Sequence, residues 1–229
     1  MLTVHDLSKT FSSGMVTRRR TEALRGVNLH IEAGESVGLC GPSGSGKTTL
    51  ANLIAGVLKP TAGEIRFHDQ PIQMPYRGAV RRAIQVLYQH PESAFDPGWS
   101  LKRSILEPLR VHKIPYTEEN LCALLAQVGL YDEHLTRGLH ALSGGELQRA
   151  ALARVMVLEP ELILLDEPTS MLDSISQAQV LGILKRYQRE HGTAYLLISH
   201  DAQVIRSMCS RCYTIDQGEL IREERFEDA

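Results

Sequence analysis

The run Gly41-Pro42-Ser43-Gly44-Ser45-Gly46-Lys47-Thr48 sets glycines, a lysine and a hydroxyl in the order that suits a chain of phosphates. Glycines let successive backbone N–H groups converge on phosphate oxygens, and a helix starting directly afterwards adds the positive end of its dipole. Lys47 is expected to reach the β- and γ-phosphates and the Thr48 hydroxyl to ligate Mg²⁺, with Thr49 closing the set of nucleotide-binding positions. The context agrees: the apolar run Ser36-Val37-Gly38-Leu39-Cys40 feeds the loop, and Leu50, Leu53, Ile54 and Val57 follow at helical spacing. That is strand, phosphate loop, helix.

A second apolar strand, Leu162-Ile163-Leu164-Leu165, ends in Asp166 and Glu167. Ligands sit at strand carboxyl ends in open α/β sheets, so Asp166 is placed to hold the Mg²⁺ shell and Glu167 to polarise the attacking water as general base. Alone, an Asp-Glu pair after a strand is an ordinary solvated loop; the upstream phosphate loop gives it meaning. Gln89 and His200 gain theirs from position. Gln89 follows the strand-like Ile84–Tyr88 and opens a helical stretch, while His200 ends the strand-like Tyr195–Ser199, where an imidazole can reach the γ-phosphate. Together these residues describe a protein that binds and hydrolyses ATP.

Ser143-Gly144-Gly145-Glu146 carries two readings that hold at once. Ser-x-x-Glu is a capping box, in which Ser143 caps the N3 amide and Glu146 returns the bond. A capped helix N-terminus flanked by glycines is also a second phosphate-binding surface. One chain cannot easily fold both onto one nucleotide, so the economical arrangement is a head-to-tail pair of chains closing on ATP.

The elements that must position these groups are written in the periodicity. Val27, Leu29 and Ile31 fall on one face, and Leu2–Leu7 and Glu64–Phe67 are strand-like, with Gly34 and Gly63 as punctuation. Buried-strand patterns at Ile84–Tyr88, Leu162–Leu165 and Tyr195–Ser199 alternate with helices, the pattern of a mostly parallel sheet. Between Pro91 and Ala141 the strand pattern vanishes: Leu101, Ile105 and Leu109, then Leu121, Leu124, Leu125 and Val128, predict a helical insert of about fifty residues.

With 229 residues, the chain has room for one well-buried α/β domain, or one domain carrying an inserted subdomain. Lys and Arg total 25 against 27 Asp and Glu, so no global positive field draws nucleic acid or anionic lipid. No window approaches the roughly 18–20 apolar residues that cross a bilayer, and Met1-Leu2-Thr3-Val4-His5-Asp6 lacks a signal-peptide layout, so a soluble, intracellular chain is expected. Cys40, Cys122, Cys209 and Cys212 are too scattered for a disulfide framework. The Cys209-x-x-Cys212 pair lacks a second ligand pair and reads as core packing at a helix end entering a strand, rather than a metal or redox site.

With these residues in view, the chain resembles the ATP-binding subunits of ABC transporters over nearly its whole length. Walker A corresponds to Gly41–Thr48, the Q-loop to Gln89, the signature to Leu142–Glu146, Walker B to Leu162–Glu167, the D-loop to Ser170-Met171-Leu172-Asp173, and the switch histidine to His200. Phe11 lies where the family's adenine-stacking aromatic is expected; a core or surface Phe is the alternative. A narrower resemblance, to the peptide and nickel importer class, comes from Gln89-His90-Pro91-Glu92-Ser93-Ala94-Phe95-Asp96-Pro97 followed by Ile105-Leu106-Glu107-Pro108-Leu109. Two departures stand out: Glu146 replaces the family's commoner Gln, and Asp96-Pro97 replaces Asn-Pro.

The resemblance implies a P-loop NTPase of ABC ATPase type: an α/β fold with a mostly parallel sheet, an antiparallel β subdomain and an inserted helical subdomain at about 91–141, residues 1–229 forming a single nucleotide-binding domain. It implies ATP and Mg²⁺, with catalytic roles for Glu167, His200 and Gln89. Nucleotide contacts fall to Phe11, Gly41–Thr49, Ser143, Gly144 and Gly145, and Mg²⁺ contacts to Thr48, Gln89 and Asp166. The implied partners are a second ATPase chain, different or identical, two membrane permease subunits, and indirectly a solute-binding protein, which puts the chain peripherally at the cytoplasmic face of the inner membrane. The helical insert, with Phe95 lining the groove, is the expected docking surface. A soluble ABC ATPase of DNA repair or translation is the alternative; the cargo, nickel or peptide, is not written in this subunit.

Overall fold

The computed structural model describes residues 1–13 and 19–226. In chain order the elements are β1 (Leu2–Ser13), β2 (Arg19–Ile31), β3 (Ser36–Cys40), α1 (Lys47–Ile54), β4 (Ala62–Phe67), β5 (Gln70–Pro71), α2 (Gly78–Ala83), β6 (Ile84–Leu87), α3 (Leu101–His112), α4 (Glu118–Gln127), α5 (Asp132–Leu135), α6 (Gly144–Met156), β7 (Leu162–Asp166), α7 (Ser174–His191), β8 (Ala194–Ile198), α8 (Ala202–Met208), β9 (Arg211–Asp216) and β10 (Glu219–Arg225). Short 3₁₀ turns lie at Pro91–Ala94 and Leu139–Ala141. The chain divides into two compact units, one of residues 1–81 and 194 onward, the other of residues 82–193.

In the first unit β3 runs parallel to both β8 and β9, with Val37 opposite Leu196 and Gly38 opposite Cys212, and β10 returns antiparallel to β9. Val37, Leu39 and every residue of β8 are buried, as the uninterrupted apolar runs require of a strand covered on both faces. A separate antiparallel sheet has the order β2-β1-β4-β5. Its alternating Leu2, Val4, Leu24, Val27, Leu29 and Ile31 are all buried.

β1 runs to Ser13, well past the stretch its alternation predicts, because register shifts between Val4 and Thr10 break the period of two while pairing to β2 continues. Arg211, 3 % exposed, ties β9 to the turn after β2: its guanidinium donates to both Glu35 carboxylate oxygens at 2.6 and 3.0 Å and to the His30 carbonyl at 2.6 Å. With every partner supplied, the buried charge is held in place.

In the second unit β6 and β7 pair in parallel, Val86 opposite Leu164, and the Glu161 amide donates to the Ala83 carbonyl at their shared end. The predicted helical stretch is present as α3, α4 and α5 with the two 3₁₀ turns. It belongs to the same compact unit as β6, β7, α6 and α7 instead of forming one by itself. Leu101, Ile105, Leu106 and Leu109 give α3 its buried face, and Arg154 of α6 joins it by donating to the Ser104 carbonyl and pairing with Glu107. Ser100 and Thr117 cap α3 and α4 through their hydroxyls.

Candidate nucleotide site

The phosphate loop lies between β3 and α1, and three of its glycines have backbones that side chains avoid: φ is 151° at Gly41, 77° at Gly44 and 113° at Gly46. A Cβ on Gly41 would sit 2.1 Å from the Ile215 carbonyl oxygen, and one on Gly46 2.8 Å from that of Ala23. The glycines therefore serve close backbone approach as well as turn geometry. Lys47 Nζ donates to the Gly41 and Pro42 carbonyls at 2.9 and 2.8 Å, which lays its charge along the loop. α1 starts at Lys47 without a side-chain cap. Ser45 Oγ is buried and has no hydrogen-bond partner among the described residues. A buried hydroxyl in that state is costly, and a phosphate oxygen is the acceptor that would relieve it. The loop hangs on the β9–β10 turn, since Gly218 N donates to Ser45 O at 2.9 Å while its own carbonyl accepts from Arg25 N at 2.9 Å.

The same unit holds His200, exposed and directly beyond β8. Its neighbours are fixed: Ser199 Oγ accepts the Asp201 N–H at 3.0 Å, and Asp201 caps α8 through the Gln203 and Val204 amides. Phe11, 39 % exposed on β1 opposite Thr21, has Lys9 Nζ 5.0 Å from its ring centre. An open aromatic face beside a cation suits a purine, and the surface alternative fits its exposure equally.

In the second unit Gln89 meets the end of β7. Its Nε2 donates to Glu167 Oε2 at 3.5 Å and to Ser170 Oγ at 3.4 Å, and Ser170 Oγ donates to the Glu167 carbonyl at 3.2 Å. Glu167 has φ 48°, a left-handed backbone that a non-glycine residue keeps only where its surroundings impose it. Asp166 is 8 % exposed. Burial, and then the Asp166 charge, raise the Tyr88 phenol above its ordinary range.

The capping box at the head of α6 is formed. Ser143 Oγ accepts the Glu146 N–H at 3.3 Å, and Glu146 Oε2 accepts the Ser143 N–H at 2.7 Å. These bonds, backbone first, with the neighbouring His134 adding to them, hold the Glu146 carboxyl at about 2. His134 Nε2 lies 3.1 Å from Glu146 Oε1. A Cβ on Gly145 would come within 2.9 Å of Ser176 Oγ, whose hydroxyl donates to Asp173 Oδ2 at 2.9 Å. Asp173, which caps α7, thus keeps the glycine under close approach.

The structure thus groups the predicted residues in two sets: the phosphate loop, Phe11 and His200 in one unit, Gln89, Ser143–Gly145, Asp166 and Glu167 in the other. A family model described as ABC transporter matches residues 24–170. The chain belongs to the ABC transporter family. This ABC ATPase is 38 % identical over 232 residues to a nickel import ATP-binding protein, NikE, of Pseudomonas putida, covering 97 % of the chain and 85 % of the relative. It is 38 % identical over 208 residues to the "Probable D,D-dipeptide transport ATP-binding protein DdpF" of Escherichia coli, covering 90 % of the chain and 64 % of that relative. A dimeric, post-hydrolysis structure of the ATP-binding cassette MJ0796 bound to ADP and Pi matches over 100 % of both chains at 29 % identity, with a TM-score of 0.88.

Three residues of this ABC ATPase escape the motif reading: His134, Ser170 as a partner of Gln89, and Tyr88. Only the D-loop correspondence points toward Ser170; nothing local marks the other two. Cys209 and Cys212 are buried, with Cys212 Sγ 2.9 Å from Cys40 Sγ, and among the described residues no group of three or more His, Cys, Asp or Glu could hold a metal. Phe95 corrects an expectation. It is 7 % exposed and packs inward, and the cleft of about 320 Å³ beside it is lined by Tyr88, His90, Ser93, Pro108 and Arg154 among others, not by Phe95.

Proposed function

We propose that this ABC ATPase is the ATP-hydrolysing subunit of an importer of the nickel and peptide class. The observation that carries the reading is the pairing, in one chain, of a phosphate loop whose buried Ser45 hydroxyl awaits an acceptor with a second helix N-terminus presenting Ser143, Gly144 and Gly145. Lys47 and the loop amides bind the β- and γ-phosphates, Phe11 stacks on the adenine, and Glu167 takes the proton of the attacking water. His200 donates to the γ-phosphate. Gln89, already bonded to Glu167, senses occupancy.

The Thr48 hydroxyl, Asp166 carboxylate and Gln89 amide are hard oxygen donors that fit Mg²⁺, which when bound neutralises phosphate charge. Ser143–Gly145 of each chain complete the nucleotide held by the other, so the working unit is a pair of ATPase chains, under two membrane subunits fed by a solute-binding protein. No helix among the described residues is long and apolar enough to cross a membrane, and the subunit sits peripherally at the cytoplasmic face. The cleft between the Gln89 segment and α6 receives the membrane subunit.

A mixing experiment tests the pairing. A Lys47→Ala chain and a Ser143→Arg chain, each inactive alone, retain one intact composite site when combined, and turnover is expected to recover. With dimerisation demonstrated and the homodimer known to be competent, a mixture no more active than either variant would refute head-to-tail closure. A chain active alone that never co-purifies with permease subunits would point to the soluble class instead.

A further inference from the structure

His134 is nearly buried, its side chain 7 % exposed, yet both ring nitrogens are engaged. Nδ1 lies 3.0 Å from the Tyr131 amide nitrogen and 3.2 Å from the Tyr131 carbonyl oxygen, while Nε2 faces Glu146 Oε1 at 3.1 Å. An ionised carboxylate only accepts, so Nε2 must carry the proton; in the neutral ring Nδ1 is then an acceptor and takes the Tyr131 N–H. Glu146 passes the constraint on through its second oxygen, which receives the Ser143 N–H at 2.7 Å. Donors thus converge on the carboxylate from both sides, the Tyr131 N–H and the imidazole Nε2–H in series from one and the signature serine's N–H from the other.

We propose that His134 is a positioning residue for Ser143, acting through Glu146, and that Glu146 in turn selects the Nε2–H tautomer of His134. The catalytic half rests on the reading above that Ser143 faces a phosphate across the dimer. A glutamine at 146 would keep its carbonyl for the Ser143 N–H and turn its NH₂ toward Nε2. The ring would then have to accept at Nε2 and donate from Nδ1 to the Tyr131 carbonyl, giving up the Tyr131 N–H. The carboxylate and the Nε2–H imidazole are a matched pair, and replacing one changes what the other must be.

The tautomer is read on the nucleotide-free full chain, labelled with ¹⁵N at histidine, from long-range proton–nitrogen spectra at pH 8. The wild type is expected in the Nε2–H form and Glu146→Gln in the Nδ1–H form; an Nδ1–H wild type, or no change on substitution, overturns the pairing. Turnover then tests positioning. His134→Leu, which lacks a donor, is expected to lower kcat about 3- to 30-fold with little change in KM, and His134→Gln, whose amide donates, to retain most activity. Adding His134→Leu to Ser143→Ala should cost nothing further. Equal losses in the two His134 variants, or fully additive losses with Ser143→Ala, overturn the positioning role. If Ser143→Ala alone leaves turnover intact, the cross-dimer reading and the catalytic half fall together, while the tautomer result is decided independently.

Discussion

Gln89 Nε2 lies 3.5 Å from Glu167 Oε2, so the amide that leads into the helical stretch touches the carboxylate at the end of β7. The contact is at the outer limit of hydrogen bonding and is readily exchanged for a water or a phosphate oxygen. In the roles proposed for them, sensor and base, two groups that share one weak bond respond together when either is recruited.

Glu167→Gln is therefore expected to keep ATP binding and reduce turnover by about 10²–10⁴-fold, since it removes the base but preserves the size and the Gln89 contact. Equilibrium nucleotide binding beside single-turnover hydrolysis makes the comparison, and comparable losses in both would deny Glu167 the role of base.

Lys47→Ala should act on the other quantity. Removing a charge-assisted donor is expected to weaken ATP binding by about 10- to 100-fold. Calorimetric titration at fixed salt measures this, and an unchanged Kd would place the lysine outside the phosphate contacts.

Two of the three strained loop glycines, Gly41 and Gly44, separate two kinds of cost. Both have positive φ, but a Cβ on Gly41 strikes the Ile215 carbonyl at 2.1 Å whereas one on Gly44 meets nothing within 4 Å. Gly44→Ala is expected to lose about 1 kcal/mol from backbone strain and Gly41→Ala at least about 3 kcal/mol. Urea unfolding of the two variants would contradict this if their midpoints coincided.

The strand–loop–helix unit and the capping box were legible because their spacing is local: strand, loop and helix start lie within one short run, and Ser143 and Glu146 are three apart in the way a capping box demands. What the sequence could not carry is what comes from distance. His134 is separated from Glu146 by a 3₁₀ turn and acquires meaning only once α5 brings its ring to the head of α6. The full length of β1 is hidden by bulges that break its alternation. Phe95, in a polar, proline-flanked segment, reads as an exposed groove residue, yet folding turns it inward after the Pro91–Ala94 turn.

That burial makes Phe95 unsuitable as a probe of docking. Phe95→Asp would place a charge in the core and is expected to unfold the chain, with a loss of about 3 kcal/mol or more. Ser93→Arg, on an exposed residue lining the cleft, should leave ATP binding and melting temperature intact while lowering transport in the assembled complex. Normal transport by this variant would move the permease contact elsewhere.

Acid should reveal the charge at position 146. The Glu146 carboxyl is held at about 2, below its ordinary 4.5, so its contribution to stability is fully present above about pH 4.5 and is lost as pH falls toward 2. Glu146→Gln should flatten that part of the stability profile. Denaturant midpoints followed from pH 5 to 2.5 provide the measurement, and parallel curves for the two proteins would rule out the cap as the source.

The bonds from Gly218 to Ser45 and from Arg25 to Gly218 make the proposed grip on phosphate partly a property of a hairpin that contains no motif. Sequence drift in Asp216-Gln217-Gly218-Glu219 can thus retune nucleotide affinity while every diagnostic residue stays unchanged. Two subunits of one transporter could diverge in this way, one holding its nucleotide longer than the other, and a comparison restricted to their motifs would record them as identical.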